Sequence, residues 1–316
     1  MLKQIFFKKT FVGKMKIYKN LNKIRKISES VVAIGNFDGI HLGHQKVLKQ
    51  AYIKAKKNKL KFGIITFEPV PVMYFNKKIK NHRINSLDQK ILGLRKFKID
   101  FLIIINFNKK FSNLSYKNFI YKIIYKKLNA KFIFISNNFK FGKNREGDIE
   151  KLKHNESEFH YKTCVAKLYK KDSKILSSSI IREEISKGDI SKANKFLGRK
   201  WCIDGRVERG EQRGRRIGFP TCNIKLSNYI LPKLGVYSVT VNVNKIKKKG
   251  IANIGYRPTF KKRTLLLEVH IFGLKANLYG KKIKVSFVKF IRSEKKFKNI
   301  SQLKVQIKKD IIKAKN

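Results

Sequence analysis

Short apolar runs separated by longer amphipathic stretches fill the first half of the chain. Residues 31–34, 62–67, 100–106 and 131–136 are strand-length and almost continuously apolar, as expected of strands buried on both faces. Residues 47–55 and 119–128 instead repeat their apolar positions at helical spacing. The alternation predicts βαβ units around a parallel sheet. Beyond residue 186 the pattern changes: "SKGDISKANKFLGRK" reads as a short polar helix and connector. Residues 201–207, 235–243, 250–254, 265–272 and 283–291 then alternate apolar and polar positions between Gly-containing turns, predicting a small antiparallel β-barrel. Residues 301–315, with Leu303, Ile307, Ile311 and Ile312 on one face, predict a closing α-helix. The chain therefore divides into an N-terminal α/β domain, 1–186, and a C-terminal barrel domain, 187–316, as its length of 316 residues also suggests.

Composition narrows the class. At 42% hydrophobic the chain can bury a core, which excludes the disordered classes despite 30% charged residues. Lys and Arg number 76 against 20 Asp and Glu, a net +56, which points first to nucleic acid. Only 14 of those 76 are Arg, however, and the Lys are spread throughout with many Asn, Ile, Phe and Tyr. AT-rich coding accounts for such a bias, and a gene of ordinary base composition would refute that account; no specific nucleic-acid partner is expected. Cys164, Cys202 and Cys222 are too few and too scattered for a disulfide framework or a zinc site, and fit a reducing compartment. The N-terminal apolar runs are only three residues long before Lys returns, too short for a signal peptide. The longest apolar stretch, 101–107, falls far short of the roughly 18 residues a span requires, so a cytoplasmic protein without a membrane partner is expected. Monomer and homo-oligomer remain equally open.

Candidate chemistry begins at "VVAIGNFDGIHLGHQKVL", a buried strand, a Gly-rich turn and a helix start. Gly35, Gly39 and Gly43 free backbone N–H groups for a phosphate. His41 and His44, three apart at the helix start, are suited to hydrogen-bond the oxygens of a phosphate under attack. The bland alternative is one His capping the helix and the other packing, which the flanking strand and glycines outweigh.

"GNFDGIHLGH", which adds Phe37 and Asp38, resembles the signature of the nucleotidylyltransferase superfamily in the form found in bacterial bifunctional riboflavin kinase/FAD synthetases. "SNNFKFGKNREGD" is similar to a second segment of that family, matching at Asn138 and Arg145, and "LSSSIIR" to a third, with Ser177, Ser178, Ser179 and Arg182. The resemblance implies that these residues bind ATP and its pyrophosphate. Ser136 stands where the family usually has Gly, Ser179 where it has Thr, and Val70 where a His is common. Taken alone, 177–182 reads as a plain helix cap followed by a surface Arg.

In the second half, "RVERGEQRGRRIGFPTCNIKL" is dense in Gly and Arg before a strand. Gly210, Gly214 and Gly218 would let a loop wrap a phosphate chain, and Thr221 and Asn223, two apart, present oxygens on one face that suit Mg²⁺. A basic turn or an RNA-binding loop is the alternative. "GFPTCN" (Phe219, Pro220, Thr221, Asn223) resembles the riboflavin kinase motif, with Cys222 for Ala. Arg215 belongs to the same loop. In "LLLEVHIF" alternation puts Glu268 and His270 opposite Leu267, Val269 and Ile271. The family resemblance implies that Glu268 is the base acting on the terminal ribityl hydroxyl of riboflavin; Arg292 either holds phosphate or orders a loop. Gly273 replaces an Asp often found in the family.

The resemblance, running from about residue 31 to 312, implies a Rossmann-like nucleotidylyltransferase domain and a riboflavin kinase barrel. The expected activities are phosphorylation of riboflavin to FMN and adenylylation of FMN to FAD, with ATP as co-substrate and Mg²⁺ as cofactor. Retention of one activity alone, or RNA binding on this scaffold, are the competing readings.

Overall fold

The computed structural model describes residues 15–166, 169–171, 174–226, 228–243, 246–258, 263–274 and 276–316. Most of the Lys-interrupted N-terminal segment, residues 1–14, lies outside the described residues. Two compact units form, one comprising the chain to Lys77 with Gln89–Lys170, the other Lys78–Asp88 with Lys171–Asn316.

The first unit is built on six strands: β1 (Lys16–Tyr18), β2 (Ser30–Ile34), β3 (Lys61–Glu68), β4 (Phe101–Asn106), β5 (Ala130–Ser136) and β6 (Lys162–Ala166). Their order is β1-β4-β3-β2-β5-β6 with every pairing parallel. All five residues of β2 are buried, so the sequence reading of a strand covered on both faces holds. Chain order reverses at β2, which pairs with β3 on one side and β5 on the other; such switch points are where open α/β sheets receive ligands. Helix Leu42–Lys57 follows β2 and buries Leu48, Ala51 and Ala55. The helix expected at 119–128 is instead a short α-turn, Tyr116–Phe119, running into a π-helix, Ile120–Tyr125. Its wider turn, with Leu128 N–H donating to Ile123 O at 3.0 Å, keeps Phe119, Ile120, Ile123, Ile124 and Leu128 together in the core.

In the second unit, helices Ser178–Lys187 and Ile190–Leu197 precede six strands: β7 (Cys202–Arg206), β8 (Cys222–Lys225), β9 (Gly235–Val243), β10 (Ile246–Pro258), β11 (Arg263–Ile271) and β12 (Lys282–Arg292). The order is β8-β11-β10-β9-β12-β7, every pairing antiparallel. A bridge between Glu208 and Asn223 nearly closes the barrel. There β7 and β8 approach so closely that a Cβ on Gly205 would lie 2.1 Å from Ile224 Cγ2. Trp201, Tyr237 and Phe287 fill the interior in edge and tilted contacts. Residues 78–88 pack here rather than with their sequence neighbours. Trp201 Nε1–H donates to Ile84 O at 2.9 Å, Arg199 Nη2–H donates to Asn85 Oδ1 at 2.9 Å, and Arg83 bridges Tyr229.

The closing helix is Ile300–Lys315. Its inward stripe is Leu303, Gln306, Ile307, Asp310 and Ile311, whereas Ile312 faces solvent at 60% exposure. The expected placement of Ile312 on the apolar face is thereby corrected: five positions after Ile307 a residue has rotated off the stripe.

Candidate active sites

At the switch point the turn after β2 is tightly wound. Phe37 and Ile40 hold positive φ of 47° and 42° around Gly39 at 81°, an unfavourable conformation for two bulky residues. Strain of this kind concentrates at functional sites. The turn is also packed: Phe37, Asp38, Ile40 and His41 are all buried. The helix begins at Leu42, so His41 and His44 sit at its positive end with their rings stacked at 3.6 Å. His41 caps the helix by accepting the His44 N–H at Nδ1, 3.3 Å, which leaves Nδ1 unprotonated and puts the ring hydrogen on Nε2. Gly43 faces the His41 ring at 3.0 Å from a hypothetical Cβ, and Gly35 faces Phe37 at 3.4 Å, so both glycines let the turn close on its own side chains.

Segment 136–148 also lies in the first unit. Phe139 and Phe141 stack at 5.4 Å inside the core, while Phe141 and Gly147 exchange backbone hydrogen bonds of 2.9 and 2.8 Å. This clasp leaves Asn138 and Arg145 exposed, Asn138 accepting from Ser136 Oγ at 3.0 Å and Arg145 at a positive φ of 62°. Ser177, Ser178, Ser179 and Arg182 belong to the second unit. Ser177 Oγ accepts the Ile180 N–H and caps its helix, and Arg182 Nε–H donates to His82 O at 2.8 Å.

The barrel holds a cavity of about 740 Å³ lined by Gly210, Gly214, Phe219, Thr221, Asn223, Glu268 and Arg292, among others. Glu268 on β11 registers with Asn223 of β8 on one side and Asn253 of β10 on the other, so all three project from one face. Leu267, Val269 and Ile271 are buried on the opposite face. Loop 212–219 is folded on itself: Phe219 N–H donates to Gly214 O at 2.8 Å, and a Cβ on Gly214 would meet Phe219 O at 2.4 Å. Gly218, at φ 90°, supplies the left-handed residue that turns the loop into "FPT". Arg215 lines a smaller cavity of about 350 Å³ with Gly210 and Arg216. Arg292 is bound by Asp310 of the closing helix.

Asn253, His270 and Asp310 line the cavity although the sequence motifs assigned them no role. For Asp310 the signal was its helical phase with Leu303 and Ile307; for Asn253 it lay in strand register, which sequence does not display.

The His41–His44 turn on the first unit and the Glu268 cavity on the second are two separate candidate sites, as a two-site transferase requires. Residues 23–180 match the family profile described as FAD synthetase, and residues 197–316 that described as riboflavin kinase. Among curated proteins, the bifunctional riboflavin kinase/FMN adenylyltransferase of Buchnera aphidicola subsp. Schizaphis graminum is 42% identical, covering 94% of this chain and 97% of that one. The protein of the same name from Bacillus subtilis is 39% identical with 90% of each covered, and that of Escherichia coli K12 is 32% identical with 95% and 97% covered. A crystal structure described as a macrolide-efflux protein from Streptococcus pneumoniae is 30% identical, with a TM-score of 0.85 over 96% of this chain and 99% of that one. The chain belongs to the bifunctional riboflavin kinase/FMN adenylyltransferase family and contains both of its enzyme domains. No helix among the described residues is long and apolar enough to cross a membrane.

Proposed function

We propose that the barrel phosphorylates the terminal ribityl hydroxyl of riboflavin, and that the first unit then transfers AMP from a second ATP to FMN, with the residues above in the following roles. The observation that carries the kinase assignment is the face shared by Asn223, Glu268 and Asn253 in a cavity closed by a Gly-rich loop. Glu268 takes the hydroxyl proton, the oxygen attacks the γ-phosphorus, and ADP leaves. Gly210, Gly214, Gly218 and Arg215, with Phe219 and Pro220, shape the loop for the phosphates, and Arg292 fixes the far wall of the cavity. Thr221 and Asn223 suit Mg²⁺, because the buried Asn223 Oδ1 has no hydrogen-bond partner and such an oxygen is costly unless something meets it. Mg²⁺ held there would offset charge on the transferred phosphoryl group.

In the first unit, Gly35, Phe37, Asp38, Gly39 and Gly43 form the turn that receives ATP, and His41 and His44 donate to the α-phosphate as FMN attacks and pyrophosphate departs. The family motifs imply nucleotide- and pyrophosphate-holding roles for Asn138 and Arg145, and likewise for Ser177, Ser178, Ser179 and Arg182, which are carried by the second unit. The free cysteines favour the reducing cytoplasm as the setting.

A chromatographic time course with riboflavin, ATP and Mg²⁺ should show FMN and then FAD. Glu268→Ala should lower FMN formation by about 10²–10⁴-fold while adenylylation of supplied FMN continues. His44→Ala should do the reverse. Loss of both activities from either change would refute the assignment of separate sites.

A further inference from the structure

Among the described residues, the backbone hydrogen bonds that shape the phosphate loop run within it: Arg215 N–H and Arg216 N–H to Gln212 O at 3.0 and 3.4 Å, Ile217 N–H to Gly214 O at 3.3 Å, Gly218 N–H to Arg215 O at 3.2 Å and Phe219 N–H to Gly214 O at 2.8 Å. Those bonds set its form. Asn223 is placed by the barrel ladder, through Glu208 N–H donating to its carbonyl at 2.9 Å. Thr221, exposed and two residues earlier, stands before β8 begins at Cys222.

We infer that His270 is the positioning residue that fixes the Pro220–Thr221 segment against the strand bearing the catalytic Glu268. His270 Nδ1 lies 2.8 Å from Pro220 O. A carbonyl oxygen only accepts, so Nδ1 carries the hydrogen and donates. His270 follows Glu268 by two residues on β11 and shares its cavity face, so the bond joins the residue before Thr221 to the strand of the base. Phe219 and Phe272 pack edge-on against the imidazole at 5.8 and 5.7 Å, holding its plane. Pro220 suits the arrangement, since its ring restricts the backbone and its carbonyl remains free to accept.

The inference rests on the kinase reading of this cavity, and the experiment separates the two. Steady-state kinase kinetics are measured on the full-length protein for His270→Leu, His270→Asn and Glu268→Ala. His270→Leu should raise the KM for MgATP about tenfold, the usual consequence of losing one well-aligned hydrogen bond, while kcat changes less than about threefold. Asn places an amide N–H where Nδ1 was and should restore KM to within about threefold of the parent. An unchanged KM in His270→Leu, or an Asn variant no better than Leu, overturns the inference. Should His270→Leu fail to fold, the ¹⁵N spectrum of the parent at alkaline pH decides: a neutral His270 protonated on Nδ1 supports the inference and one protonated on Nε2 overturns it. If Glu268→Ala retains full kinase activity, the reading of the cavity fails instead.

Discussion

Arg292 at the end of β12 and Asp310 on the closing helix form a forked ion pair, Nε to both carboxylate oxygens at 3.0 Å and Nη2 to Oδ2 at 2.7 Å. Asp310 is 1% exposed, and Gln306 donates to its Oδ1 at 2.9 Å. A carboxylate so enclosed tolerates burial because three donors meet it, and removing it leaves the guanidinium half-buried without its partner. Asp310→Ala should destabilise the second unit by about 3 kcal/mol. The single tryptophan, Trp201, lies in that unit, so a urea titration followed by its fluorescence reads the change directly.

Gly210 faces Asn223 so closely that a Cβ would stand 1.7 Å from its amide nitrogen. Gly210→Ala must therefore displace the Asn223 side chain, the proposed Mg²⁺ ligand. FMN formation should fall at least about tenfold, corresponding to about 1.4 kcal/mol of lost positioning, with adenylylation of supplied FMN unchanged. Assaying the two half-reactions separately checks this.

Burial pushes the Cys222 thiol from an ordinary value near 9.0 up to about 11, and it raises Cys164 and Cys202 in the same direction. The folded protein at pH 8 should alkylate with iodoacetamide far more slowly than the urea-unfolded chain, measured by mass spectrometry. Stability should follow: above about pH 9 the unfolded thiol of Cys222 releases its proton while the folded one retains it until about pH 11. Burial of the Tyr229 hydroxyl, raised to about 12, continues the decline. Melting temperatures should hold below pH 9 and fall as pH rises above it.

A net charge of +56 meets substrates that are anions, apart from riboflavin. Their capture should be steered electrostatically, so kcat/KM for ATP and FMN should decline between low and moderate salt. A flat salt profile would contradict steering. The same charge should give only weak, featureless RNA binding, because Lys is spread along the chain rather than gathered with aromatics on one stripe.

Elements defined by a buried periodicity were legible in the sequence, as β2, β3, β4 and the Glu268 strand illustrate. Edge strands were less so: β1 is three residues long, and β6 has Thr163, Cys164 and Val165 all half-buried, leaving no alternation to read. Strand β10 runs from Ile246, four residues earlier than its apolar core suggested, its Lys-rich start pairing with Thr240–Val243 of β9. Around the sites, glycine spacing and hydroxyl–amide pairs announced the loops. The flanking amide Asn253, the anchor His270 and the buried Asp310 depend on which strand or helix lies opposite, which is fixed only when the barrel closes.

Residues 78–88 have a consequence for inheritance. They occur within the sequence of the first unit, yet Ile84 is wholly buried in the second, beneath the Trp201 indole. Cutting a gene once, at any position, therefore cannot deliver both units intact to separate chains. A break near residue 187 would strip the kinase of Ile84 and Asn85, and an earlier break would divide the parallel sheet. Recombination that shuffled these halves would have to exchange two stretches at once, so lineages should pass the pair on as one indivisible block.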